Sequence, residues 1–125
     1  MSSSTILPKL NISFNFKNEN VSQIYYLLEK NEKSHWHRLT KNDILHFYSG
    51  DPLEVFTSND GVNYEVFFLG SDHNYIYTVR ANTWFAMRSS GAFSLIGCTV
   101  APAFDFDDFE LAPATWRPEK FKIEL

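Results

Sequence analysis

Ser34-His35-Trp36-His37-Arg38, followed after a short connection by Asn42-Asp43-Ile44-Leu45-His46-Phe47-Tyr48-Ser49-Gly50-Asp51-Pro52, is the stretch on which the rest of the sequence hangs. In an extended strand residues i and i+2 share a face, so His35 and His37 are expected side by side with Trp36 turned away. Arg38 to Asn42 is long enough for a turn that returns Asp43 beside the imidazoles. Two imidazoles and a carboxylate facing one interior are the beginnings of a metal site or an acid–base site. Two histidines on a polar sheet face are the plainer alternative. His46 lies at odd spacing from Asp43, which sends it to the opposite face of the same strand.

On both sides of this stretch the sequence alternates. Leu10, Ile12, Phe14 and Phe16 interleave with Asn11, Ser13, Asn15 and Lys17, a half-buried strand. Val21 to Leu28 is a second strand, and Glu29 to Lys33 a charged loop. Leu53-Glu54-Val55-Phe56-Thr57 and Tyr64-Glu65-Val66-Phe67-Phe68 flank Asp60-Gly61, a hairpin signal because glycine takes positive φ without a Cβ penalty. Gly70 to Asn74 is a polar turn that exposes His73. Tyr75–Val79, Trp84–Arg88 and Ala92–Val100 supply three more strands, with Ser89-Ser90-Gly91 expected to close the last two as a pair. Strands at this spacing without an amphipathic helix mean an all-β sandwich or barrel.

The tail differs. Phe104-Asp105-Phe106-Asp107-Asp108-Phe109-Glu110-Leu111 lacks the glycine and ligand spacing of a calcium loop. Asp105 is instead expected to cap a short helical turn, with Asp108 as its box partner. Pro113 and Pro118 bracket an irregular C-terminus.

A chain of 125 residues is expected to form a single domain spanning 1–125. Its net charge is −4 and its eleven Lys and Arg are scattered, which argues against nucleic acid as a partner. No apolar run approaches the roughly 20 residues of a membrane helix, so no membrane partner is expected. Cys98 stands alone in an apolar run, which suits a buried small side chain in a reducing compartment. Met1 to Pro8 has no secretory pattern, and the expected location is cytoplasmic.

Ser34-His35-Trp36-His37-Arg38, His46-Phe47-Tyr48-Ser49-Gly50-Asp51-Pro52-Leu53-Glu54, and Gly97-Cys98-Thr99-Val100-Ala101-Pro102 running into Phe104–Ala112 closely resemble the cupin-5 family, the cupins of domain of unknown function 985. The resemblance covers about residues 21–112. It implies a cupin double-stranded β-helix, a jelly-roll barrel that usually forms homodimers, here with the short C-terminal helical turn. The wider superfamily includes sugar-nucleotide epimerases, metal-dependent oxygenases and hormone-binding proteins, so fold does not select a reaction. In metal-binding cupins one motif supplies two His and a Glu and a second supplies a third His. By position these fall on His35, His37 and Asp43, and on Phe85 within Arg80-Ala81-Asn82-Thr83-Trp84-Phe85. Asp43 is a methylene shorter than Glu, and Phe85 has no donor atom. A divalent metal (Fe, Mn, Ni or Zn) on His35, His37 and Asp43 is the candidate cofactor.

Three functions compete. In the first, an epimerase or isomerase binds a sugar-like or planar metabolite in the barrel mouth. His35 or His37 is then the base, Asp43 orients it, and Tyr48, Tyr25 or Tyr77 is the acid. Tyr25, Phe47, Trp84 and Phe85 would contact the small-molecule ligand, with Arg80 adding a charge for anions at the mouth. The second is a ligand-binding cupin without catalysis. The third, an iron-dependent oxygenase, requires the metal.

Overall fold

In a computed structural model, which describes residues 11–71 and 73–125, the chain forms two five-stranded antiparallel sheets packed face to face. The strands are β1 (Asn11–Lys17), β2 (Ser22–Glu29), β3 (Lys33–Leu39), β4 (Asp43–Gly50), β5 (Leu53–Ser58), β6 (Glu65–Leu69), β7 (Ile76–Val79), β8 (Trp84–Ser89), β9 (Phe93–Val100) and β10 (Phe109–Leu111). The first sheet has the order β1-β2-β9-β4-β7 and the second β10-β3-β8-β5-β6. This is the expected jelly roll, and among the described residues its one helical element is a 3-10 turn at Phe106–Asp108. Leu10 and Met1 to Pro8 lie outside the described residues.

The period-two pattern explains the layers. Leu45 and Phe47 of β4 point inward and meet Val55 of β5, Phe85 and Met87 of β8, and Ile96 of β9 in one buried core. Cys98 is buried in this core, as expected of a small hydrophobe. The hairpin at Asp60-Gly61 forms as its sequence demands. Gly61 has φ of 75°, and Asp60 Oδ1 accepts from the Val62 and Asn63 amides at 2.8 and 2.9 Å.

The connection Ser89-Ser90-Gly91 corrects the expected pair. It joins no hairpin: β8 lies between β3 and β5, whereas β9 lies between β2 and β4 in the other sheet. Asp51 holds this crossing by accepting from the Ala92 amide at 2.6 Å and donating its own amide to Phe93 O. Adjacency along the chain and adjacency in a sheet are separate matters in a jelly roll.

Asp105 caps the 3-10 turn by accepting from the Asp107 amide at 2.8 Å. Asp108 does not act as box partner, because its carboxylate takes the Thr40 hydroxyl at 2.7 Å and pairs with Lys41 at 2.7 Å. That pair ties the tail to the β3–β4 turn.

The outer face of the second sheet is apolar too. Trp36, Phe56 and Ala86 are covered by Ala112 and Phe121, with Trp84, Trp116, Ile123 and Leu125 packed around them. The bracketing prolines thus precede an ordered strap.

Gly70, between β6 and β7, has φ of 105°, and a Cβ there would fall 2.7 Å from the Phe47 ring. Gly70→Ala is therefore expected to cost about 2–4 kcal/mol, combining positive-φ strain with overpacking. Urea denaturation checks this; a loss below about 0.5 kcal/mol would refute the close approach.

Candidate functional site

The paired histidines do not share a face. In β3 the register against β8 runs from Ser34 opposite Met87 to His37 opposite Phe85, so one strand advances three residues while the other advances two. The extra residue is a β-bulge, and it puts Ser34 and His37 on the inner face. Trp36 turns outward to the tail, and His35 Nε2 donates to Pro113 O of the same tail at 2.9 Å. This corrects the expectation that His35 and His37 face the interior together.

His37 is buried against the rings of Phe85 and Phe109 at 4.1 and 5.6 Å between centroids. Its Nδ1 lies 2.7 Å from His35 O. A carbonyl can only accept, so Nδ1 carries the proton and Nε2 keeps its lone pair. Burial pushes the His37 pKa down to about 4 despite the backbone bond, so the ring is neutral at physiological pH. The expected orienting carboxylate is replaced by the His35 carbonyl.

Asp43 opens β4 on its inner face, opposite Val100 on one side and Val79 on the other. It is 7% exposed, and its Oδ1 is buried without a hydrogen-bond partner. Burial alone raises its pKa to about 7. Cys98, the inward residue two before Val100 on β9, has its thiol pushed well above the usual range by burial and by the Asp43 carboxyl.

Register extends this end of the barrel. Across the second sheet the row is His37, Phe85, Thr57 and Glu65. In the first sheet Leu45 opposes Tyr77, which makes Tyr77 the diagonal neighbour of Asp43 on the same face. The Tyr77 pKa is raised by partial burial and by Glu65, with Arg80 acting the other way, so its phenol stays protonated. Thr57, Glu65 and Cys98 were not among the sequence candidates. Alternation with Leu53 and Val55 places Thr57 inward, but only the pairing of β5 with β6 and β8 brings it level with His37.

The remaining candidates disperse. Tyr48 is exposed on the outer face of the first sheet, lying over Gly97, where a Cβ would meet its hydroxyl at 2.6 Å. Tyr25 packs edge-on against it at 5.8 Å, so both tyrosines are on the wrong side of the sheet for the barrel interior. His46 is on that face as well, bonded to Thr99 Oγ1 at 3.2 Å, as its spacing from Asp43 requires. Trp84 is also outward, between Trp116 at 4.7 Å and the Arg38 guanidinium at 4.4 Å. Phe47 and Phe85 do face inward, but as buried core. Arg80 is exposed just past the end of β7, and His73 is exposed and stacked on Phe68.

The donor set does not fit a cupin metal. Among the described residues no three His, Cys, Asp or Glu side chains gather closely enough to hold an ion. His35 is turned away by the bulge, and Phe85 occupies the third-ligand position. Nor does any helix among the described residues have the length and apolarity to cross a membrane.

The family model Cupin_5, described as Cupin superfamily (DUF985), matches residues 3–112. The chain belongs to this family. Among solved structures, a Shewanella oneidensis protein is similar with 26% identity and a TM-score of 0.77, covering 90% of this chain and 85% of that one. A hypothetical protein from Leishmania major matches at 22% identity and a TM-score of 0.70, over 88% of this chain and 85% of its own. A dTDP sugar isomerase from Desulfovibrio desulfuricans shares the fold at 14% identity and a TM-score of 0.66, covering 81% and 69%. No curated protein matches the chain. In this Cupin_5 member, residues 113–125 continue past the matched stretch and complete the strap over the second sheet.

Proposed function

We propose that the protein is a cupin that binds a small carbonyl-containing metabolite at the β6–β7 side of the barrel and isomerises or epimerises it by proton transfer. The observation that carries this reading is the buried Asp43 carboxyl, whose Oδ1 has no partner in the fold. A buried polar atom without a hydrogen bond costs about 1–3 kcal/mol, and a catalytic role is one of the reasons for which a fold retains such an atom.

A carboxyl titrating near 7 can both take and return a proton at neutral pH, which suits Asp43 to act as the base. Tyr77, diagonal to it on the same wall, keeps its phenol proton and supplies the acid. His37, neutral and with Nε2 unprotonated, accepts a hydrogen bond from a substrate hydroxyl on the facing wall. Removing a proton next to a carbonyl by one group and returning it by another is the chemistry of isomerases and epimerases. The shared fold with a dTDP sugar isomerase is in keeping with it.

The test is solvent exchange. The protein is incubated in D2O with a panel of sugar nucleotides, keto acids and amino ketones, and deuterium at the carbon next to the carbonyl is followed by NMR. Wild type is expected to exchange at least one compound, and Asp43→Asn to lose that exchange by about 100-fold or more. Equal exchange by the two proteins would reject Asp43 as the base. Ligand binding without exchange in wild type would leave a binding protein instead of an enzyme.

A further inference from the structure

An open groove of about 470 Å³ runs along the two edge strands β6 and β7. Glu65, Val66, Phe67, Phe68, Leu69, Asn74 and Tyr77 line it, with Phe67 and Tyr77 on the inner face alongside Glu65 and Asn74 offering an amide. Phe67 and Tyr77 pack on each other with centroids 3.7 Å apart, which makes a firm aromatic surface. Glu65 is the charged side chain of the lining, and among the described residues it forms no ion pair.

Each class of ligand can be weighed against this lining. An anion would meet the Glu65 carboxylate with no Lys, Arg or His in the wall to offset it. A small hydrated metal ion would gain one carboxylate and an amide while facing apolar rings, a poor exchange for its water shell. A neutral apolar compound would bury the rings but strip water from Glu65 without replacing it. A cation carried on apolar substituents satisfies both features, because ring faces and a carboxylate attract it together. Arg80 stands outside the lining, past the end of β7.

We propose that the groove binds an organic cation, an alkyl-substituted ammonium, with its substituents against Phe67 and Tyr77 and its charge toward Glu65. The inference rests on the reading that this groove is the protein's binding cleft, and it narrows the substrate to a carbonyl compound bearing an ammonium group.

The probes are choline and 3,3-dimethyl-1-butanol, which have the same shape and differ by a quaternary nitrogen in place of carbon. Each is titrated at pH 8 into the full-length ¹⁵N-labelled protein. Choline is expected to shift amides of Glu65–Leu69 and of Asn74–Tyr77 and to bind about tenfold more tightly than the alcohol. Glu65→Gln should bring the two affinities to within about twofold, and Arg80→Gln should strengthen choline binding modestly by removing a like charge. Both changes are at exposed positions, so the variants are expected to fold. Equal binding of the two probes by wild type would overturn the proposal. So would tighter binding of the anionic isostere 3,3-dimethylbutanoate, or no choline shift in these strands. Choline failure with deuterium exchange intact would reject the ligand class alone, whereas choline binding without exchange would reject the catalytic reading alone.

Discussion

Asp43→Asn is expected to make the protein more stable at pH 8 while removing proton transfer, the reverse of what a structural carboxylate would do. The folded-state pKa of Asp43 is raised from 3.8 to about 7 by burial. Its contribution is therefore fully present below pH 3.8 and is lost as pH rises toward 7, because the unfolded chain ionises first. The full loss corresponds to about 4 kcal/mol at pH 8. An amide at this position carries no charge but adds one donor beyond those of the neutral carboxyl, which unpartnered costs about 1–3 kcal/mol, so the net gain is about 2 kcal/mol.

His37 works in the opposite direction. Its folded pKa is lowered from 6.5 to about 4, so its contribution is present above 6.5 and is lost as pH falls through 4, to the extent of about 3 kcal/mol. Between pH 4 and 6.5 the two slopes nearly cancel, and the wild type is expected to be flat there. Asp43→Asn should then gain stability as pH rises across that window, and His37→Gln should lose it. Urea unfolding at half-unit pH steps measures all three. Parallel curves would mean that neither group is desolvated as described.

Phe121→Ala is expected to lower stability by about 3–5 kcal/mol, at the upper end for a single truncation. Phe121 is 1% exposed, and its ring meets Trp36, Phe56 and Tyr64 edge-on at 5.1, 5.1 and 4.9 Å. Phe121 is the central side chain of the strap over Trp36 and Phe56, so the cavity opens beneath a segment that is held elsewhere by Trp116, Ile123 and Leu125 and by hydrogen bonds. These include Arg88 Nη1 to Glu124 O at 2.7 Å and Lys33 Nζ to Leu125 O at 3.0 Å. With about 3–5 °C per kcal/mol for a domain of this size, the melting temperature should fall by roughly 10–20 °C. Phe121→Leu should recover half or more of that. A shift below about 3 °C for the alanine variant would show that the strap is not packed in solution.

Legible in the sequence were every strand except β10, the hairpin, the Asp105 cap, the burial of Cys98 and the opposite facing of Asp43 and His46. These depend on two-residue alternation, on glycine at positive φ, or on side chains capping nearby amides, all of which act within a few residues. The blocks from Ser34 to Glu54 and from Gly97 to Ala112 were enough to identify the cupin fold. The parting of His35 from His37 came from tertiary pairing, because a bulge inserts one residue in β3 and alternation has no memory across it. The tertiary structure alone sent Ser89–Gly91 across the sandwich and aligned Thr57 and Glu65 with His37. It alone seated the strap on Trp36. Strand pairing between distant segments is fixed by which apolar faces close on one another, a property of the whole packed chain. The same closure removed water from Asp43 and gave an ordinary aspartate its unusual chemistry.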